Sequence, residues 1–155
     1  MENVKYTVRE LLPHAPPMIL LSGYEEPVDG DSIAAYVDIT RDSPFFDMSE
    51  NGVPGCVAIE YMAQAMALYV GLQARLRNEK PRIGFVLGTR KLNLSIPAFP
   101  LAHRFTVSSR CTYTDESFGS FECLIADASG SVVASAQLSA FLPDEGFSLE
   151  AGSKV

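Results

Sequence analysis

One stretch limits what this chain can become. Residues 56–77, CVAIEYMAQAMALYVGLQARLR, run for 22 positions without a proline. As an α-helix the run would span about 33 Å at roughly 1.5 Å per residue. Between Cys56 and Leu72 only Glu60 and Gln64 are strongly polar. A helix apolar nearly all round has to be buried on most sides. A membrane span is the rival reading, but the apolar stretch is short and holds Glu60, and the remaining segments read as soluble strands. No membrane span is expected.

The rest of the chain supplies what buries that helix. Residues 6–12 allow one short helical turn, stopped by Pro13. PHAPPMILL then begins as extended chain, and its apolar run from Met18 to Leu21 reads as the start of a buried strand. Asp29-Gly30-Asp31 is a turn signal, and residues 33–39 read as a strand through β-branched and aromatic enrichment. SPFFDMSENGVPG is a loop that Pro54-Gly55 delivers into the helix. Beyond Pro81 strands are expected over 83–94, 105–113, 118–126 and 132–142. Turns fall at Pro97-Ala98-Phe99-Pro100, Asp115-Glu116 and Ser129-Gly130. The tail from Pro143 is polar and expected to be loose. At 155 residues this predicts a single domain over 1–155 with its core at about 6–142. The class is α+β, an antiparallel β-sheet wrapped around one long central α-helix, which is the hotdog arrangement.

Charge excludes some partners. The net charge of −7 argues against a nucleic-acid binder. Within residues 73–110, however, eight cations stand against one acid, Glu79, so that segment carries +7 and the remainder −14. Such a block either offers an acidic partner a docking surface or is a scatter of solvated charges that never meet. MENVKYTVRE lacks the continuous apolar core of a signal peptide. Three cysteines, Cys56, Cys111 and Cys123, form no CxxC pair and read as reduced, mostly buried thiols. A cytoplasmic protein is expected.

Glu60 is the most informative residue. A carboxylate on a helix buried on most sides costs several kcal/mol unless it is paired, protonated or placed in a site. Gln64 lies four residues on, so both project from one stripe of the helix. The bland alternative is a partly exposed first-turn acid favoured by the helix dipole. The helix start is the second feature: free N–H groups at Gly55 and Cys56 would polarise a carbonyl and hold developing negative charge. His14, in the proline-fixed LPHAPPM, is a base suited to neutral pH, or else a loop histidine with a structural bond. His103 reads as a surface residue. No GxSxG, Walker or GxGxxG pattern appears, and no Cys/His set has metal-ligand spacing. Phe45, Phe46, Phe85 and Leu87, with Tyr61 and Phe118, either line an acyl tunnel or belong to the core.

These segments resemble the FabZ/FabA-type 3-hydroxyacyl-carrier-protein dehydratases. LLPHAPPMILL is similar to their LPHR-x-P-x-LLVD segment, SPFF with PGCVAIEYMAQA to their FF…PGVLxxEAMAQ stretch, and GFVLGTRKLNLSIPAFP to their strand ending in a proline-containing turn. The resemblance covers residues 6–142 in order. HxPPMxLL, GVPGxxxxEYMAQA, LGTRK and FGSFEC are more similar still to the ApeP-like branch from aryl polyene clusters. One departure stands out. The family's catalytic histidine belongs to a GHFPG loop, and the corresponding DMSENGV contains none.

The resemblance implies a lyase that dehydrates a 3-hydroxyacyl chain held on the phosphopantetheine of an acyl carrier protein. Glu60 is then the acid, its pKa expected to be raised by apolar surroundings, with Gln64 orienting it. His14 is the base in place of the missing histidine, and the amides of Gly55 and Cys56 polarise the thioester. No metal or redox cofactor is expected. Hotdog domains pair, so a homodimer, or a heterodimer with a second hotdog dehydratase, is implied. Arg75, Arg82, Arg90, Lys91 and Arg104 are the candidate carrier-docking residues. Two other functions stay open: a non-catalytic subunit completing an active partner, which the missing loop histidine favours, and a hotdog thioesterase in which Glu60 activates water.

Overall fold

A computed structural model of the chain describes residues 5–25 and 30–144. Residues 1–4 of the amino end, Asp29 of the first turn and the tail beyond Asp144 lie outside the described residues. The element order is α1 (Val8–Leu11), β1 (Gly23–Glu25), β2 (Ser32–Asp38), β3 (Gly52–Pro54), a single 3-10 turn at Gly55–Val57, and α2 (Ala58–Leu76). After it come β4 (Phe85–Leu94), β5 (Ala98–Pro100), β6 (Arg104–Thr114), β7 (Phe118–Ala126) and β8 (Val132–Phe141).

Six strands form one antiparallel sheet in the order β1-β2-β6-β7-β8-β4. Its pleat sorts the side chains. Along β2 the burial alternates strictly, with Ile33, Ala35 and Val37 turned inward, as a sheet packed on one face requires. Phe105, Val107, Phe121, Ile125 and Leu138 from β6, β7 and β8 join that inner surface. Against it lies α2, which buries Tyr61, Met62, Ala65 and Leu68 almost completely. Tyr61 meets Phe99 edge to face at 5.3 Å, and Phe99 meets Phe105 in the same way at 5.0 Å. The segment Gly55–Leu76 is long and apolar enough to cross a bilayer, yet half of its most apolar window is buried in the protein. It is the core helix of the hotdog fold.

Two glycines let the helix into its place. A side chain on Gly55 would sit 2.8 Å from the Ile96 carbonyl oxygen and from Leu94 Cδ2, so only glycine passes under that turn. A side chain on Gly71 would sit 2.2 Å from the Leu11 carbonyl oxygen, where α1 crosses α2. The short α1 exists because Thr7 and Glu10 form a reciprocal capping box at its start.

Two expectations need correction. Met18–Leu21 is not a strand: its backbone groups bond to the Gln64 side chain instead of a neighbouring strand. The Pro97–Pro100 turn contains a short strand, since Ala98–Pro100 pairs with Gly52–Pro54 in a separate two-stranded sheet. Both of those strands are three residues long and proline-flanked, so their pattern resembles a turn.

At the far edge of the main sheet, β4 pairs only with β8 among the described residues. All of its residues after Phe85 are exposed. They include Val86, Leu87, Leu92 and Leu94, and Ile83 just before the strand is exposed too. A long apolar edge is what an uncovered sheet avoids.

Candidate active site

The site begins with Gln64, which is fully buried. Its amide nitrogen donates to Glu60 Oε1 at 2.8 Å and to the Met18 carbonyl at 2.7 Å. Its carbonyl oxygen accepts from the Leu20 N–H at 2.9 Å. One side chain thus fixes the Glu60 carboxyl and also ties the 18–20 segment to the helix. Because that segment continues from LPHAPP, the tie holds His14 beside α2. His14 Nε2 lies 3.6 Å from Glu60 Oε1. The other ring nitrogen, Nδ1, is buried without a hydrogen-bond partner among the described residues.

Glu60 is half-buried, and its environment holds its carboxyl below the usual carboxylate range. Contact with the His14 imidazole is the largest cause, desolvation opposes it, and the Gln64 amide lowers it further. The raised pKa expected for Glu60 is therefore corrected: hydrogen bonding with the His14 ring and the Gln64 amide outweighs the desolvation by its apolar neighbours.

The pair sits at one end of a cavity of about 250 Å³ between α2 and the start of β4. Ala63, Met66, Ala67 and Val70 line it from the helix, and Phe85 and Val86 from the strand. Small side chains on this face leave the room. A larger depression of about 550 Å³ lies on the outer face of the sheet, and neither His14 nor Glu60 lines it. Among the described residues no three His, Cys, Asp or Glu side chains converge to hold a metal ion.

The other candidate residues divide. Phe85 lines the cavity, whereas Leu87 stands exposed on β4 and Phe45 is exposed in its loop. Phe46 packs against the core from the same loop, and neither phenylalanine of that loop lines the cavity. The Gly55 amide is not free, because it donates to the Pro97 carbonyl at 2.8 Å to fasten the helix start to the turn before β5. Among the described residues Cys56 makes no comparable cross-segment bond, and it is exposed, not buried as expected. Cys123 is buried, and burial pushes its thiol up to about 11. His103 is exposed as expected, stacked on Phe105.

Several cations of the basic block are engaged within the chain. Arg104 forms a two-pronged pair with Asp38 at 2.6 and 2.9 Å and lies over the Tyr36 ring. Arg110 pairs with Glu122 at 2.7 Å. Arg75 reaches the Glu10 carbonyl and lies over Tyr6. Arg82 donates to the carbonyls of Glu116, Leu142 and Pro143. Arg90 and Lys91 remain on the open edge strand β4. Sequence reasoning missed Ala63, Met66, Ala67, Val70 and Val86 as cavity residues. Their spacing along α2 was the available signal, but core and cavity residues share that periodicity.

An acid, a histidine and an apolar slot along the central helix define a hotdog dehydratase. The family model "ApeP dehydratase" matches residues 6–151, and the chain belongs to this ApeP-like family. It is 26% identical over 140 residues, 88% of each chain, to the 3-hydroxyacyl-[acyl-carrier-protein] dehydratase FabZ of Anaeromyxobacter sp. (strain K). Among solved structures it is similar to the dehydratase heterocomplex ApeI:P from Xenorhabdus doucetiae. The TM-score there is 0.87 at 30% identity, covering 97% of this chain and 99% of that one. A Streptococcus pneumoniae hypothetical thioesterase with coenzyme A matches at TM-score 0.61 and 15% identity, covering 80% of this chain and 88% of that one, which shows the fold alone.

Proposed function

We propose that the chain dehydrates a 3-hydroxyacyl thioester carried on acyl carrier protein to the trans-2-enoyl form. The observation that carries this reading is His14 Nε2 standing 3.6 Å from Glu60 Oε1 at the end of an apolar slot. His14 takes a proton from C2, and the charge that builds on the thioester oxygen is held by the helix start at Cys56. Glu60 gives its proton to the C3 hydroxyl; the C–O bond breaks, water leaves, and the C2–C3 double bond forms. Glu60 has to be neutral for this, although the open site favours its ion. Substrate filling the slot excludes water from the half-exposed carboxyl, which strengthens the desolvation that already opposes ionisation. Oxidation state does not change, so the reading calls for no redox cofactor.

The edge strand supports a paired assembly. A second hotdog subunit laid against β4 would cover its apolar residues and close the slot, whose wall includes Phe85 and Val86. The similar ApeI:P structure is a heterocomplex, which favours a different hotdog dehydratase as that subunit. The carrier protein, acidic in character, would approach Arg90 and Lys91, the candidate cations whose side chains form no bond among the described residues. A cytoplasmic location and an aryl polyene or fatty-acid pathway belong to the same reading.

A second reading has a specific observation behind it. The loop at 47–53 carries no histidine, which favours a chain that is the half completing an active partner. Incubation with a 3-hydroxyacyl carrier protein, followed by mass, separates the two. Enoyl product from the pure chain supports the dehydratase. Product only after mixing with the partner supports the second reading, and free acid without enoyl product means a thioesterase.

A further inference from the structure

After β8 the described chain ends at the rim of a cavity. Pro143 is buried, and Arg82 Nη2 donates to the carbonyls of Leu142 and Pro143 at 3.0 and 2.8 Å. The Leu142 N–H donates in turn to the Ser117 carbonyl at 2.7 Å. These bonds pin the backbone between the β6–β7 turn and the end of α2. Leu142 itself lines a cavity of about 490 Å³ there, with Val70, Ala74 and Phe121 as its other apolar residues. The two arginines on its wall, Arg77 and Arg82, are balanced by Asp115 and Glu116. No net charge calls for an ionic ligand, and an apolar occupant suits the lining.

The sequence after Asp144 fits that opening in length and in pattern. Residues 145–151 read EGFSLEA, and the family match runs through residue 151. Phe147 lies three residues beyond Asp144, a reach of about 10 Å at roughly 3.3 Å per residue. Phe147 and Leu149 are two apart, so an extended chain turns both to one side and Ser148 and Glu150 to the other.

We infer that residues 145–151 dock back on this cavity, with the Phe147 ring against Val70 and Phe121 and with Leu149 at the rim. Val70, Phe121 and Leu142 also line the slot that holds Glu60, so the docked segment shuts the back of that slot from bulk water. The occupant is the chain's own segment, and the inference holds whatever reaction the slot performs.

The test uses the full chain, purified without ligand. Phe147→Cys is combined with Gln73→Cys or with Thr114→Cys, with Cys56→Ser in both, and a mild oxidant is added. A disulfide needs Cα atoms about 4.4–6.8 Å apart, so peptide mapping reads contact directly. A link within one molecule from position 147 to one of the two wall positions is expected. Ser153→Cys in place of Phe147→Cys should link about tenfold more slowly. Amide hydrogen exchange gives a second reading that needs no cysteine. Phe147→Asp should speed exchange at residues 73–77 about tenfold and leave residues 58–64 unchanged, whereas Phe147→Leu should keep most of the protection. Links only between two molecules would make the occupant a second copy and overturn the inference. So would the absence of any link from position 147 to the wall, or exchange at 73–77 that Phe147→Asp leaves unchanged.

Discussion

Gln64 and Glu60, one helical turn apart on α2, are joined by a 2.8 Å hydrogen bond in which the amide donates to the carboxyl. The same amide holds the backbone of the segment that follows His14. The acid and the base are thus aligned by a third residue that touches both supports, and its loss should be felt in stability and in rate.

Gln64→Leu keeps the volume but leaves the Leu20 N–H and the Met18 carbonyl without their acceptor and donor. Each buried group left unsatisfied costs about 1–3 kcal/mol. Denaturant titration should show a lowered midpoint with unchanged slope, and dehydration should slow in the folded fraction.

Glu60→Gln and His14→Ala should each lower the dehydration rate by about a hundredfold or more, the size expected for lost acid or base catalysis. Initial rates of enoyl formation measure this. Activity equal to wild type in His14→Ala would remove His14 from the mechanism.

Gly71→Ala places a methyl 2.2 Å from the Leu11 carbonyl oxygen. The neighbour is backbone, so α1 has to shift, at a cost of about 1–3 kcal/mol typical of overpacking. A lower thermal midpoint checks it, and one equal to wild type would mean that α1 docks loosely.

Acid should destabilise the fold. The carboxyls of Asp115 and Asp127 are held below their ordinary range, the first mainly by the Ser117 backbone N–H and the second mainly by the Ser129 hydroxyl. Glu60 shifts the same way through His14. A group with a depressed folded-state pKa contributes its stability above the unfolded value, and that contribution fades as pH falls through the folded one. Thermal midpoints should therefore hold near neutrality and drop below about pH 4, near the unperturbed carboxyl values. Asp127→Asn should drop less steeply.

Leu87→Lys, at an exposed position of β4, should leave the subunit folded and weaken its assembly. Sedimentation at several concentrations reads this directly: an unchanged association constant would mean that the partner does not lie on this edge.

The helix and most strands were legible because burial on one face imposes a period that sequence displays. Residues 118–126 match β7 end to end, and the helix read at 56–77 includes all of α2 (Ala58–Leu76). Glu60 and Gln64 stood out for the same reason, as polar residues in an apolar run. What escaped was carried by long-range contacts. The side chain of Gln64 replaces a neighbouring strand for Met18 and Leu20, and no local pattern announces that. The Gly55 amide looked free because only the fold brings Pro97 above it. Arg104 and Arg82 read as available cations until Asp38 and the Leu142 carbonyl came within reach.

The ten residues of β4 also set a condition on how the chain can exist in a cell. Molecules with that margin bare present a template to which any extended polypeptide can add, with backbone groups ready and greasy side chains on the rim. Stranded subunits would then be drawn toward aggregates or proteolysis, and their survival would track the supply of whatever caps the strand. Made in excess of such a cap, the chain should collect in the insoluble fraction.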